Sequence, residues 1–144
     1  MSSKLELLQS VLRNQGYRAD RSQDPNTIWF TRDGVRYCLD ADDADPDFFA
    51  LRAGFEVPSD AACPETQLAL AHDLGVALKG VKIFSAADGR TIVFNVESFV
   101  PEPTAGVLAT VLVRALRALD VAFFELGAVL SLATASSSCY AGQA

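Results

Sequence analysis

Residues Arg90–Val100 read Arg-Thr-Ile-Val-Phe-Asn-Val-Glu-Ser-Phe-Val, the longest run of β-favouring residues in the chain. Strand side chains alternate, so Ile92, Phe94, Val96 and Ser98 share one face. Val93, Asn95, Glu97 and Phe99 take the other. The first face is apolar enough to lie under helices, and the second is mixed. The run is therefore expected as an inner strand of a sheet, with its neighbours supplied by the chain before it and a helical cover by the chain after it.

Just upstream, Val81–Ser85 reads as a strand, and Asp88-Gly89 supplies a tight turn that folds it back onto Arg90–Val100. Val81–Ser85 is the expected edge of the sheet. Before it, Pro58-Ser59-Asp60 opens a helix from about Ala61 or Pro64 to about Leu78. Leu70, Leu74, Ala77 and Leu78 form its core stripe, and Leu68, His72 and Gly75 lie on a neighbouring stripe at helical spacing. Glycine inside a helix costs about 1 kcal/mol relative to alanine, so close packing is expected at Gly75. Downstream, Pro101-Glu-Pro103 stops the strand and Thr104 caps a helix from Ala105 to at least Leu126. Its core stripe is Leu108, Leu112, Leu116, Leu119 and Phe123. The opposite side carries Val113, Val121 and Phe124 among Thr110, Arg114, Arg117 and Asp120, which is less polar than a solvated face.

The N-terminal half begins with a helix over Ser3–Asn14. Ser3 and Glu6 have capping-box spacing, and Leu5, Leu8, Val11 and Leu12 form an apolar stripe that Gly16 terminates. Tyr17–Ala19 begins a short strand. Thr27–Arg32 and Val35–Leu39 flank Asp33-Gly34, a hairpin signal, because the tight turn requires positive φ at both central residues. Ile28 and Phe30 share one face, Trp29 takes the other, and Val35, Tyr37 and Leu39 share a face in the returning strand. Asp40–Asp47, with five aspartates, is a loop. In Phe48–Val57, Phe48–Leu51 suits a turn of helix and Gly54–Val57 a short strand.

Segregated strands with short turns describe an antiparallel α+β domain of about five strands and three helices in the order α-βββ-α-ββ-α, since parallel pairing would require crossover helices between most strands. Residues 1–132 are expected as one domain and 133–144, small and polar, as a flexible tail. The chain has 144 residues, half of them apolar and 21% charged, which is globular composition. A net charge of −6 disfavours nucleic acid. The arginines, Arg13 and Arg18, Arg32 and Arg36, Arg114 and Arg117, read as scattered rather than as a basic patch. Neither a signal peptide nor a membrane span is legible, and Cys38, Cys63 and Cys139 have no metal or redox spacing. A reducing cytoplasm is the expected location, with Cys38 a buried free thiol.

The Tyr37-Cys-Leu-Asp40 strand running into Asp42-Asp-Ala-Asp-Pro-Asp-Phe-Phe49, the helix Glu65–Leu78, the Val81–Val100 hairpin and Arg114-Ala-Leu-Arg-Ala-Leu-Asp120 in a leucine-rich last helix together resemble the YbjN family. Its members are described as candidate bacterial sensory transduction regulators and share the fold of type III secretion chaperones. The resemblance spans about Leu5 to Leu126. It implies a five-stranded antiparallel sheet with helices on it and often a homodimer, and it carries over no catalytic residue. The chaperones of this fold hold partly unfolded client segments.

The residues themselves offer little chemistry. An EF-hand loop needs Gly at its sixth position and Glu at its twelfth. Counted from Asp40 these are Asp45 and Leu51, and from Asp43 they are Phe48 and Gly54, so both registers fail. The aspartates instead cap local backbone donors. His72, the sole histidine, lies on the Leu68/Gly75 stripe, a packing surface. Cys63 precedes Pro64 near a helix start, where a thiol can be acidified, but an ordinary free cysteine is the plainer reading. Gly75–Gly80 has the wrong spacing for a phosphate loop and ends a helix rather than beginning one. Arg114 and Arg117, one turn apart, could grip an anion, but Arg117 has the spacing to pair with Asp120.

No catalytic residue, metal or cofactor is assigned. The positive signal is surplus apolar surface. The expected function is non-catalytic binding of a protein partner or client segment, as a homodimer, through Leu68, His72 and Gly75 on the second helix and Val81 and Ile83 on the edge strand. The alternative is a ligand pocket between sheet and helices lined by Trp29, Tyr37 and Phe94.

Overall fold

The computed structural model describes residues 3–42, 44–57 and 64–136. Pro58-Ser59-Asp60, Cys63, Asp43 and residues 137–144 of the expected tail lie outside the described residues. The elements run α1 (Lys4–Asn14), β1 (Ala19–Arg21), β2 (Thr27–Arg32), β3 (Val35–Asp40), β4 (Phe48–Glu56), α2 (Pro64–Ala77), β5 (Lys82–Ser85), β6 (Thr91–Phe99) and α3 (Ala105–Ser136). The strands form one open six-stranded sheet in the order β1-β2-β3-β4-β6-β5, and the β1–β4 pairs are antiparallel.

The α+β class and the three helices stand as expected, but the sheet has six strands rather than five. The short strand near Tyr17 begins two residues later, at Ala19. Phe48–Val57 holds no turn of helix; Phe48–Glu56 is a single nine-residue strand. Its core-facing residues Phe49, Leu51 and Ala53 are buried. Leu51 and Ala53 lie opposite Leu39 and Tyr37 on β3. That pairing is a long-range fact, and local periodicity could not supply it. Helix α3 runs to Ser136, three residues past the expected start of the tail.

The chain divides into two compact units. The first holds residues 1–53 and 95–117, and the second holds residues 54–94 and 118–144. In the first, Ser3 caps α1 through a complete capping box: its hydroxyl accepts the Glu6 N–H at 3.2 Å, and the Glu6 carboxylate accepts the Ser3 N–H at 3.0 Å. Leu5, Leu8, Val11 and Leu12 are buried, as are Ile28, Phe30, Tyr37, Leu39, Phe49 and Leu51 on the strands and Leu108, Leu112 and Leu116 on α3. Phe30 stacks on Tyr37 with centroids 5.1 Å apart, and Tyr17 adds a third ring 5.6 Å from Phe30. Asp33 and Gly34 both take positive φ, 51° and 77°, as the hairpin requires.

The acidic loop is tied down by a cation. Lys4, only 6% exposed, donates from Nζ to the carbonyl oxygens of Asp42 at 3.1 Å and Asp45 at 2.6 Å. The Asp42 carboxylate caps the Ala44 N–H at 2.9 Å, so the loop's acids serve its own backbone.

In the second unit Phe55, Phe94 and Phe123 form an edge-to-face triad with centroid separations of 4.5–6.0 Å. Leu70, Ala71 and Leu74 bury the inner side of α2, which lies against β5. Ala77, expected in that stripe, is exposed. The Asp88 carboxylate accepts the N–H groups of Arg90 at 2.8 Å and Thr91 at 2.9 Å and the Thr91 hydroxyl at 2.7 Å, fixing the turn between β5 and β6. Those bonds hold its carboxyl below the ordinary aspartate value.

Candidate interaction surface

An amphipathic helix should turn charge toward water. On α2 the residues at 68, 72, 75 and 76 fall within one stripe, nearly opposite the buried Leu70 and Leu74. Leu68 is 62% exposed and Val76 is 76% exposed, and His72 and Gly75 between them are exposed too. Three of the residues expected at an interface, Leu68, His72 and Gly75, therefore share one outward face. Val76 belongs with them; it stands eight residues after Leu68 and four after His72, a spacing already present in the sequence.

A Cβ at Gly75 would meet nothing within 4 Å, so no packing among the described residues requires glycine at this position. Gly54 is the contrasting case, where a Cβ would come within 3.1 Å of the Thr91 methyl.

Strand β5 closes one side of the sheet order, as expected of Val81–Ser85. Ile83 is half-buried, and its neighbour Phe84 is 45% exposed. Val81 precedes the strand and is buried at 7% exposure, so its side chain belongs to the core and offers no surface. The β1 side is closed differently. The Ala19 carbonyl accepts Gln9 Nε2 at 2.9 Å and Arg13 Nη2 at 3.3 Å, so side chains of α1 already occupy part of that edge.

Trp29, Tyr37 and Phe94 are the residues expected around a ligand pocket. Tyr37 is wholly buried on Phe30, and Phe94 is wholly buried in the phenylalanine triad. Trp29 lies on the opposite face of β2 from Phe30. There it borders an open cleft of about 490 Å³ with Arg18, Asp20, Arg21, Ser22 and Arg36. The Arg36 guanidinium carbon sits 4.3 Å from the indole centroid. Arg18 and Arg36 read as scattered because the strand register is not visible in sequence. Trp29 faces Asp20 on β1 and Cys38 on β3, which makes Arg36 its diagonal neighbour.

Farther along the same face of β3, Asp40 accepts the Thr27 hydroxyl at 2.8 Å and pairs with Arg52. Cys38 is buried, and burial pushes its thiol above the ordinary value, with the nearby Arg52 opposing that shift more weakly. A neutral, buried thiol is a poor nucleophile. Among the described residues, no group of three histidine, cysteine or acidic side chains is placed to hold a metal. No described helix is long and apolar enough to cross a membrane.

No family model matches the sequence, and no curated protein matches it. Solved structures do. YbjN from E. coli superposes with a TM-score of 0.66 at 18% identity, over 86% of this chain and 91% of YbjN. An uncharacterised protein from Methanothermobacter thermautotrophicus gives 0.60 at 11% identity, over 87% and 97%. A chain of the HopA1–SchA chaperone–effector complex gives 0.56 at 15% identity, over 81% and 87%. The architecture built above from capping, hairpin and core stripes is thus the fold shared by YbjN and by a chain of the HopA1–SchA chaperone–effector complex.

Proposed function

We propose that the chain is a non-catalytic, cytoplasmic protein-binding module that acts as one domain, pairs with a second copy through the outward face of α2, and receives a client segment along β5. The carrying observation is Leu68 and Val76 exposed on either side of His72 and Gly75, where a solvated helix would carry charge. Gly75 adds support. It weakens α2 with no packing gain among the described residues, and a flat spot on a helix is what a closely approaching partner needs. The fold supports the same reading. A chain of the same architecture is found in a chaperone–effector complex, and YbjN is described as a candidate transcription regulator; neither role is catalytic. For the client, β5 is the favoured edge because, among the described residues, no strand lies beyond it in the sheet and its Phe84 is exposed.

Light scattering tests the pairing. The wild-type protein should show twice the 15.4 kDa chain mass, and Leu68→Glu or Gly75→Arg should return it to one. A wild type already at single-chain mass would remove the homodimer from the proposal. The client arm is read separately. A photo-crosslinker at Phe84 should trap a partner polypeptide in the source cell, and a crosslinker at the exposed Glu6 of α1 should not.

A further inference from the structure

The cleft beside Trp29 carries an inference independent of the α2 surface. We propose that it binds a small phosphomonoester anion of nucleoside-monophosphate size. Three guanidinium groups, those of Arg18, Arg21 and Arg36, meet one carboxylate there, on a chain whose net charge is −6. The carboxylate is spoken for, since Asp20 pairs with Arg18 Nε at 3.2 Å. Arg21 donates to the Pro25 carbonyl at 3.1 Å, and Arg36 stacks on the indole. Neither has a carboxylate partner among the described residues.

Two uncommitted guanidinium groups match the roughly −1.5 to −2 charge of a phosphomonoester at neutral pH. Stacking restrains Arg36 while its N–H edge stays available, so less freedom is lost when it forks onto phosphate oxygens. The hydroxyls of Ser22 and Thr31 add donors around the same space. The cleft's size, about 490 Å³, falls within the range usual for small-ligand sites, and the indole gives a planar group something to lie against. A peptide added as a strand suits the place less well, because Gln9 and Arg13 already occupy the Ala19 carbonyl on β1.

Trp29 is the sole tryptophan, so its fluorescence reports on this cleft alone. The full chain is titrated with AMP, inorganic phosphate and succinate at constant ionic strength, with calorimetry as a second readout that does not depend on the indole. AMP should give a saturable response. Inorganic phosphate should compete with it, which assigns the recognition to the phosphoryl group. Arg21→Gln and Arg36→Gln should each weaken AMP about tenfold while leaving far-UV circular dichroism unchanged. A response that is linear and reproduced by sodium chloride overturns the proposal. So does succinate binding as tightly as AMP, an aspartate-rich peptide binding where AMP does not, or both glutamine variants binding AMP like the wild type.

Discussion

Helices α1 and α2 both cover part of a sheet, but they meet water differently. Helix α1 buries Leu5, Leu8, Val11 and Leu12 and turns Glu6, Ser10, Arg13 and Asn14 outward. Helix α2 buries Leu70, Ala71 and Leu74 and turns Leu68, Ala69, His72, Gly75, Val76 and Ala77 outward, with Glu65 and Asp73 its exposed charges. The outer face of α1 is polar, whereas that of α2 leaves two large aliphatic side chains, Leu68 and Val76, in water. The proposed pairing rests on that difference.

The sharpest way to break this contrast is a matched pair of truncations. Leu8 is fully buried, so Leu8→Ala should cost about 2–5 kcal/mol in urea unfolding, through lost transfer energy and a residual cavity. Leu68→Ala, measured dilute enough to keep single chains, should stay within about 0.5 kcal/mol of wild type. Equal costs would mean that Leu68 packs within its own chain, and the α2 surface would lose its basis. Next in size is Lys4→Met. The ammonium group is buried with its donors on two loop carbonyls, and its removal should cost about 1–3 kcal/mol and loosen the acidic loop, seen as faster amide exchange at Ala44 and Asp45. An unchanged protein would show that the loop holds its shape by aspartate caps alone.

Gly75→Ala sharpens the contrast from the other side. With nothing near the added methyl, helix propensity should raise single-chain stability by about 1 kcal/mol. If the same substitution also lowers the dimer mass at a fixed concentration, the glycine serves the partner and not the fold. A loss of stability would instead reveal close packing at this position.

Legibility followed the range of the interaction. Capping at Ser3, the Asp33-Gly34 turn and the leucine stripes of α1 and α3 depend on residues within a turn or two of each other, and the sequence carries those spacings openly. The Leu68/His72/Gly75 face was legible for the same reason. What escaped depended on strand register. Strand β4 looked divided because Phe48–Leu51 and Gly54–Val57 have no strong alternation of their own, and pairing with β3 makes them one strand. Arg18 and Arg36 read as dispersed because only the Asp20–Trp29–Cys38 alignment brings them, with Arg21, to one cleft. Val81 differs for the opposite reason. Its strand-like side chain is expected at the edge surface, but it precedes β5 and turns inward.

The smallest expected effect concerns the turn that brings β5 back from β6, in the same unit as α2. Asp88 is fully exposed, so its contribution rests on hydrogen bonds from Arg90 and Thr91 and not on burial. Its carboxyl titrates below the ordinary value in the folded chain, so the unfolded state binds the proton more readily. The associated stability is therefore fully present above the ordinary aspartate range and is lost as pH falls through the depressed folded value. Asp88→Asn should destabilise the protein slightly at pH 7, and the difference from wild type should shrink steadily below about pH 4, where the wild-type carboxyl protonates too. Thermal melts of the two proteins across that range read this out directly. A difference that stays constant with pH would mean that the turn is held by Gly89, whose φ of 69° suits it to the bend, and that the carboxylate is incidental.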